Sequence, residues 1–420
     1  MQLLSQPGAK LKLLSIAFLA TFTFLPTLSQ PFIEDDYPII VLSRSYGPPT
    51  GWSTMMQDQV NRVRATTFVV THWIETIAGS SPAPFYATSI ALHILNCWLI
   101  YLMGGWQLIG YRVSFWAASF FAVYEGHQEA VMWYAAANEL LLFFFGMCCV
   151  LAWLAYLRNG KLRWLAIAAA SLTLSFLSKE SSVVLLPLLI LATWKSGLKS
   201  KRLLLLVVFA LVAVVYALLI FKTHDLSFRF HDQSFELTAP FWETWTKSYF
   251  GLLLPWGWAA LIVLALSRKE SLMAFCLSWI GISFFPYMFV NYVHSIPSRQ
   301  TYLASLGLAL LVGAAVTELL RVKSSRWAVI LFLLLTVAHN ISYIWFVKHQ
   351  QFLLRAQPTE ELVKFAQTED GPIYVKCFPR PPIIGDSAVE VRLEKPTGTL
   401  VWDEAEARKL RVTKTFCYQK

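Results

Sequence analysis

The sequence predicts an all-α polytopic membrane protein of about eleven transmembrane helices, with a small external C-terminal appendage of α/β or β type. Three observations lead there. First, 56% of the 420 residues are hydrophobic and 14% charged, with a mean hydropathy of +0.53, whereas a soluble domain carries about a quarter of its residues charged. Second, apolar runs approaching the ~20 residues that span a bilayer recur from end to end. Third, the loops between those runs alternate in charge. One set holds fifteen Lys and Arg with only Glu270 and Glu318 as acids, while the other, up to the C-terminal tail, holds eight basic and thirteen acidic residues. That asymmetry is the positive-inside pattern. It makes the net charge of +10 an orientation signal and argues against nucleic acid as a partner.

Taken in order, the spans are expected near 12–29, 84–104, 113–125, 138–157, 164–178, 182–194, 203–221, 248–266, 271–290, 302–320 and 327–346. The charge count places the N-terminus in the cytoplasm and, with an odd number of spans, the tail outside. Lys10 and Lys12 before the first run resemble a signal peptide, but Pro26-Thr27-Leu28-Ser29 offers no Ala-x-Ala-like cleavage site, so an uncleaved first helix is expected. Residues 1–346 form the membrane domain. Its first external loop, 30–83, contains Pro48-Pro49, and Trp52, Met55, Met56, Val60 and Val63 recur at near-helical spacing, as in short helices lying on a membrane. The other external segments are a short one at 126–137, a bare turn at Ser178-Lys179-Glu180-Ser181, and the loops 222–247 and 291–301. Seventeen Trp and sixteen Tyr suit interfacial belts. Residues 347–420 are polar, and the alternation Val389-Glu390-Val391-Arg392-Leu393 reads as a strand. Cys377 and Cys417 in this tail are expected to pair in an oxidising compartment; Cys97, Cys148, Cys149 and Cys276 lie in apolar runs as packing residues.

Charge beside a bilayer is costly and marks candidate chemistry. Glu34, Asp35 and Asp36 follow the first span directly. Adjacent carboxylates repel, so one of them holds a proton more tightly, which suits deprotonation of a hydroxyl or capture of a divalent cation. A solvated loop start is the plain alternative. Lys179 follows a short helix and is expected near or below the interface, with Glu180 holding it, as a cation for an anionic ligand. Arg299, in Pro297-Ser298-Arg299-Gln300-Thr301-Tyr302, stands at an expected helix start, where a guanidinium suits a phosphate; interfacial snorkelling is the alternative. Arg62 and Arg64 raise the same question. His127 and Glu129 are read as an acid–base or metal-binding pair, or as hydrogen-bonded structure. His93 and Asn96 share one helix face and are read as interhelical contacts shaping the site. His224, Asp225, His231 and Asp232 repeat a His/Asp theme seven residues apart that reads as loop polarity, with metal binding as the alternative.

These residues carry a resemblance. The order Phe32, Asp35-Asp36, Ile39, then Tyr86, Leu92-His93, Asn96, then Phe121-Ala122, His127-Gln128-Glu129-Ala130-Val131, Trp133, then Leu177-Ser178-Lys179-Glu180-Ser181 resembles the membrane part of the TMTC-type protein O-mannosyltransferases and their bacterial relatives. More broadly it is similar to GT-C glycosyltransferases. Arg299-Gln300-Thr301-Tyr302-Leu303 matches their later Arg-x-x-Tyr-Leu stretch, so the resemblance covers about 30–310. The chain departs from the pattern at Ala135-Ala136-Ala137-Asn138-Glu139, where the family has Gly-Arg, and at Arg64-Ala65-Thr66, where it has Arg-Pro-Leu.

The resemblance implies a GT-C-like membrane domain that transfers a sugar from a polyprenyl-phosphate donor to an external protein or glycan acceptor. It implies Asp35 or Asp36 as the reacting carboxylate, with Glu34 as bystander. Lys179, Arg299 and Arg64 would receive the donor phosphate, with Glu180, His127, Glu129 and His93 in support. The resemblance fixes no cofactor and leaves a divalent cation open. Membrane lipid is a partner, and the compartment is the bacterial inner membrane. A transporter or flippase for lipid-linked sugars, and a non-catalytic assembly protein, are the alternatives.

Overall fold

The computed structural model describes residues 8–58, 61–197, 204–221, 240–289, 298–396 and 398–419. Val60, Lys199, Lys201, Arg202, His224, Asp225, Arg229, His231, Asp232 and His294 lie outside the described residues.

Helices follow one another along the chain: α1 (Ala9–Phe24), α2 (Asp36–Tyr46), α3 (Trp52–Gln57), α4 (Ala65–Ala78), α5 (Pro82–Leu102), α6 (Gly110–Val123), α7 (Gln128–Met132) and α8 (Ala137–Asn159). Then come α9 (Leu162–Phe176), α10 (Leu185–Ser196), α11 (Leu205–Phe221), α12 (Phe241–Leu253), α13 (Trp256–Leu266), α14 (Glu270–Phe284), α15 (Ser305–Leu319), α16 (Arg326–Ser342) and α17 (His349–Thr368). By length and apolarity five helical segments can cross a membrane, or six if one bent pair is counted, and three shorter apolar helices accompany them among the described residues. Each of the eleven expected runs is helical over most of its described length.

Two of those runs differ in form. The stretch 248–266 falls in two helices, α12 and α13, bent by 74°. Pro255 interrupts the backbone ladder there, and hydropathy reads apolarity, not direction. The stretch 327–346 does not end with its apolar residues. It passes through a π-helical turn, Tyr343–Lys348, straight into α17, because the polar run from Lys348 to Gln357 contains no helix breaker.

Why the bundle closes is visible in its contacts. Trp98 in α5 donates to the Leu13 carbonyl of α1 at 3.0 Å, and Ile16 and Ala20 of α1 are fully buried, so the first helix is built into the bundle. α15 lies against α6 at Gly313, where a Cβ would come within 2.5 Å of the Val113 carbonyl oxygen. Small residues let helix backbones approach this closely. At the centre Phe121, Phe143 and Tyr302 pack edge-on or tilted, with ring centroids 5.1–5.3 Å apart.

The tail forms a three-stranded parallel sheet, β1 (Ile373–Cys377), β2 (Leu400–Val401) and β3 (Lys414–Cys417), in the order β2-β1-β3. Helices α18 (Pro382–Leu393) and α19 (Glu404–Lys409) connect the strands. Parallel neighbours require such crossovers. The alternating run 389–393 is therefore not a strand but the end of α18. Pro382 opens that helix, and Ala388, Val389 and Val391 bury against neighbouring elements. Cys377 and Cys417 form the expected disulfide, and the sheet, α18 and α17 share an apolar core. Contacts to α2 seat the appendage on the first loop: Val363, Ala388 and Val391 pack with Phe32, Tyr37 and Ile40.

Candidate functional site

The chain turns sharply after α1. Glu34 takes a left-handed backbone, φ 46°, a conformation a non-glycine residue adopts at some cost. The turn sends the three carboxylates in three directions.

Asp36 points inward. It is fully buried, its Oδ2 accepts from the Ile33 amide at 2.9 Å and the Tyr86 hydroxyl at 3.1 Å, and its Oδ1 accepts from the Ala135 amide at 2.7 Å. It ties the start of α2 to α5 and to the turn before α8. Burial pushes its pKa up to about 7 against the pull of those hydrogen bonds.

Glu34 points toward the appendage. Its oxygens pair with Arg355 of α17 at 2.8 Å and with Arg380, which follows β1, at 2.7 Å. The acid read as a bystander is thus the tie between first loop and tail.

Asp35 is exposed, and no hydrogen bond to its carboxylate is present among the described residues. Desolvation by the surrounding protein and the neighbouring Glu34 raise its pKa, while Arg299, Arg64 and Arg355 pull it down; the net shift is upward. Three guanidiniums from three distant parts of the sequence thus lie near enough to act on one open carboxylate, while each stands by another acid: Arg64 by Glu180, Arg299 by Glu129 and Arg355 by Glu34.

Each guanidinium is held from behind. The Arg299 backbone amide donates to Glu129 at 3.2 Å, and its guanidinium stands 4.0 Å from the same carboxylate. Arg299 and Arg355 both lie over the Trp133 indole, 4.6 Å from its ring centre. The indole N–H donates to the Ile33 carbonyl at 3.2 Å, so Trp133 sets the spacing between the arginines and the acidic turn. Arg64 stands 3.8 Å from Glu180. Its loop docks on the 177–180 turn through Thr66, whose amide donates to Leu177 at 3.1 Å and whose hydroxyl meets Ser178 at 2.8 Å.

Lys179 is placed below this surface. It is buried and forms an ion pair with Glu139 of α8, and it lies over the Tyr287 ring at 5.2 Å. The Tyr287 hydroxyl in turn reaches Ser181 at 2.9 Å. Sequence reasoning paired Lys179 with Glu180; in the fold Glu139 is its ion-pair partner and Glu180 faces Arg64.

The histidines belong to the packed interior. His127 is buried, with Nδ1 at 3.0 Å from the Phe121 carbonyl and Nε2 at 2.7 Å from the Ser305 hydroxyl. A carbonyl only accepts, so in the neutral ring Nδ1 carries the proton, and the Ser305 hydroxyl is shared between Nε2 and the Tyr302 carbonyl, to which it donates at 2.7 Å. Burial, then nearby His93, push the His127 pKa well below its usual value, which fits that neutral form. His93 meets the Tyr302 hydroxyl at 2.7 Å, and Asn96 donates to the same oxygen at 3.3 Å. Glu129 engages Arg299, so His127 and Glu129 serve different neighbours.

Sequence reasoning missed Arg355, Arg380 and Glu139. The first two follow the apolar part of the last long helix by many residues, and nothing local marks them. Glu139 carried a signal, an acid inside an apolar run. For a metal, no group of three His, Cys, Asp or Glu converges among the described residues. Glu34 and Asp36 are engaged by arginines and by hydrogen-bond donors, so this cluster offers a cation the single open carboxylate of Asp35. The cluster does not fit a metal centre built from its own side chains.

Comparison with known proteins adds the fold. No protein-family model matches the sequence, and no curated protein matches it. Solved structures do match. One is the archaeal oligosaccharyltransferase AglB from Archaeoglobus fulgidus, in complex with an inhibitory peptide and a dolichol-phosphate. It has a TM-score of 0.56 and 10% identity over 96% of this chain and 65% of that one. Another is ArnT from Cupriavidus metallidurans bound to undecaprenyl phosphate, with a TM-score of 0.53 and 12% identity over 98% of this chain and 90% of that one. The A. fulgidus enzyme is also similar in a complex with Zn and sulfate, with a TM-score of 0.52 and 10% identity over 90% of this chain and 61% of that one. The chain thus spans just under two thirds of the oligosaccharyltransferase.

Proposed function

From the GT-C membrane fold it shares with AglB and ArnT, we propose that this chain is a membrane glycosyltransferase that moves a sugar from a polyprenyl-phosphate donor to an acceptor hydroxyl. The observation that carries the reading is the exposed Asp35 carboxylate in the electrostatic reach of Arg64 and Arg299, two guanidiniums set in place by Glu180 and Glu129. Two of the similar structures hold dolichol-phosphate and undecaprenyl phosphate, which supports the same donor class here.

Asp35 accepts the acceptor's hydroxyl proton. The acceptor oxygen forms its bond to the anomeric carbon as the bond from that carbon to the phosphate oxygen breaks. The polyprenyl phosphate leaves with the electron pair, and Arg64 and Arg299 receive its charge. Fixed guanidiniums need little rearrangement as charge develops, and Trp133, Glu129 and Glu180 fix these two. Asp36 shapes the turn that aims Asp35. Lys179 acts from beneath by holding the 178–181 turn against α8, and His93 and His127 brace the Tyr302 region. The charge alternation supports a site on the external face of a bacterial inner membrane, with the N-terminus cytoplasmic and the appendage outside. A divalent cation enters no step.

The test is incorporation of labelled sugar from polyprenyl-phosphate sugars into membrane-surface material, in cells with and without the chain. Wild type supports transfer, and Arg64→Gln with Arg299→Gln lowers it at least a hundredfold at normal protein level. Transfer independent of the chain, or of both arginines, overturns the reading. A flippase instead predicts donor reorientation in vesicles without transfer.

A further inference from the structure

The proposed chemistry leaves one built feature unused. A cavity of about 500 Å³ opens where α17 meets the appendage, lined by Leu354, Arg355, Gln357, Pro379, Arg380 and Tyr418 among others. Sites for small ligands run roughly 300–1,000 Å³. Two of its wall residues are the arginines that share Glu34, with side chains 28% and 32% exposed. Two guanidiniums share the single Glu34 carboxylate. They leave donors to spare, since each guanidinium carries several N–H groups in a planar fork. Arg380 Nε is shielded from solvent and has no hydrogen-bond partner among the described residues.

The rest of the wall suits a sugar more than a bare ion. Leu354, Pro358 and Pro379 give an apolar surface, and Gln357, Tyr418 and Gln419 give polar groups. The wall is also stapled. Arg380 follows Cys377 by three residues and Tyr418 follows Cys417 by one; the two cysteines are bonded, and the Tyr418 amide donates to the Cys377 carbonyl at 3.0 Å. Glu34, which holds both arginines, is the residue next to Asp35. Arg355 of the cavity wall also acts electrostatically on the Asp35 carboxylate, which places the cavity in the neighbourhood of that acid.

We propose that this cavity binds an acidic sugar unit of the acceptor, its carboxylate or phosphate on Arg355 and Arg380 and its ring against Tyr418 and the prolines. The proposal rests on the glycosyltransferase reading and names its acceptor class: an anionic glycan whose neighbouring hydroxyl is brought to Asp35. A neutral acceptor would leave the surplus N–H donors unanswered, which a recessed site disfavours. Charge-assisted, bidentate contacts are what arginine forks supply to such oxyanions.

The experiment is calorimetric titration of the full chain in nanodiscs, saturated with undecaprenyl phosphate so that the Arg64 and Arg299 side is occupied. The probes are glucuronate, glucose 6-phosphate and glucose. Both acidic sugars, or the one whose oxyanion the site prefers, bind at least tenfold tighter than glucose. That difference says whether carboxylate or phosphate is the natural group. Arg380→Gln removes the preference and Tyr418→Phe weakens it about threefold. Equal binding of glucose overturns the proposal, as does wild-type preference in a folded Arg380→Gln protein. If that variant does not fold, Tyr418→Phe decides: unchanged affinity for both acidic sugars overturns it. Failure of sugar transfer with intact anion binding would count against the enzyme reading alone.

Discussion

Replacing Lys179 tests the buried ion pair that anchors the site from below. The side chains of Lys179 and Glu139 are 3% and 2% exposed, so Lys179→Met strands a carboxylate inside the bundle, with the Tyr287 hydroxyl 3.4 Å away. Breaking a buried pair by removing one partner costs about 3–5 kcal/mol. Unfolding entropy of about 2.1 cal/mol/K per residue, taken over 420 residues, is close to ~0.9 kcal/mol/K. The expected drop in melting temperature is therefore roughly 3–6 °C. Removing both charges, as in Lys179→Met with Glu139→Leu, recovers most of it, because two apolar groups of similar size pack where two charges had to be desolvated. The assay is thermal unfolding of the purified protein in one detergent, with the wild type, the single variant and the double variant side by side. A single variant as stable as wild type, or a double variant no better than the single, refutes the reasoning. So would full stability with donor binding lost, which would make Lys179 a ligand and not an anchor.

Three further outcomes follow from the geometry. Asp36 has a pKa raised from 3.8 to about 7 in the folded chain, so its contribution to stability is full below about pH 4 and is lost as the pH rises through 7. In Asp36→Asn that part of the pH dependence of melting disappears, and an unchanged profile contradicts the assignment. Glu34→Gln breaks the contacts to Arg355 and Arg380, and limited proteolysis is expected to cut around the appendage several times faster, with the membrane helices intact; an unchanged cleavage rate would mean that α18 alone seats the tail. Gly313→Leu forces α15 off α6, since even a Cβ would meet Val113 and Ala117 backbone atoms within 2.6 Å, and overpacking of this kind costs about 1–3 kcal/mol or more; wild-type melting would show that the helices have room to part.

What the sequence revealed and what it hid divide along physical lines. Apolar runs and loop charge are local properties, so the helices and the alternation of loops could be read directly. Asp35, Asp36 and Arg299 stand where acid or base abuts a long apolar run, and such charge is conspicuous. The choice between Asp35 and Asp36 was not legible, because it depends on which way each side chain leaves a turn with Glu34 at positive φ. Arg355 and Arg380 were hidden for a different reason. They reach Glu34 across more than 300 residues of chain, and the helix that delivers Arg355 continues past the point where its hydropathy stops. Val389 to Leu393 alternates like a strand, yet Pro382 had already started a helix, and a five-residue alternation is too short to outweigh that. Lys179 looked like half of a pair with its neighbour Glu180, while its ion-pair partner Glu139 comes from another helix.

The central claim is that Asp35, and not Asp36, is the reacting carboxylate of a lipid-linked sugar transfer. It is tested most directly by comparing Asp35→Asn and Asp36→Asn in single-turnover transfer from a polyprenyl-phosphate sugar, with donor binding measured on the same preparations. A positioned base is worth about 10²–10⁴-fold. Asp35→Asn should therefore lose at least a hundredfold in rate while binding donor as wild type does, and Asp36→Asn should lose less rate and more thermal stability. Transfer at the wild-type rate by folded Asp35→Asn protein would contradict the account.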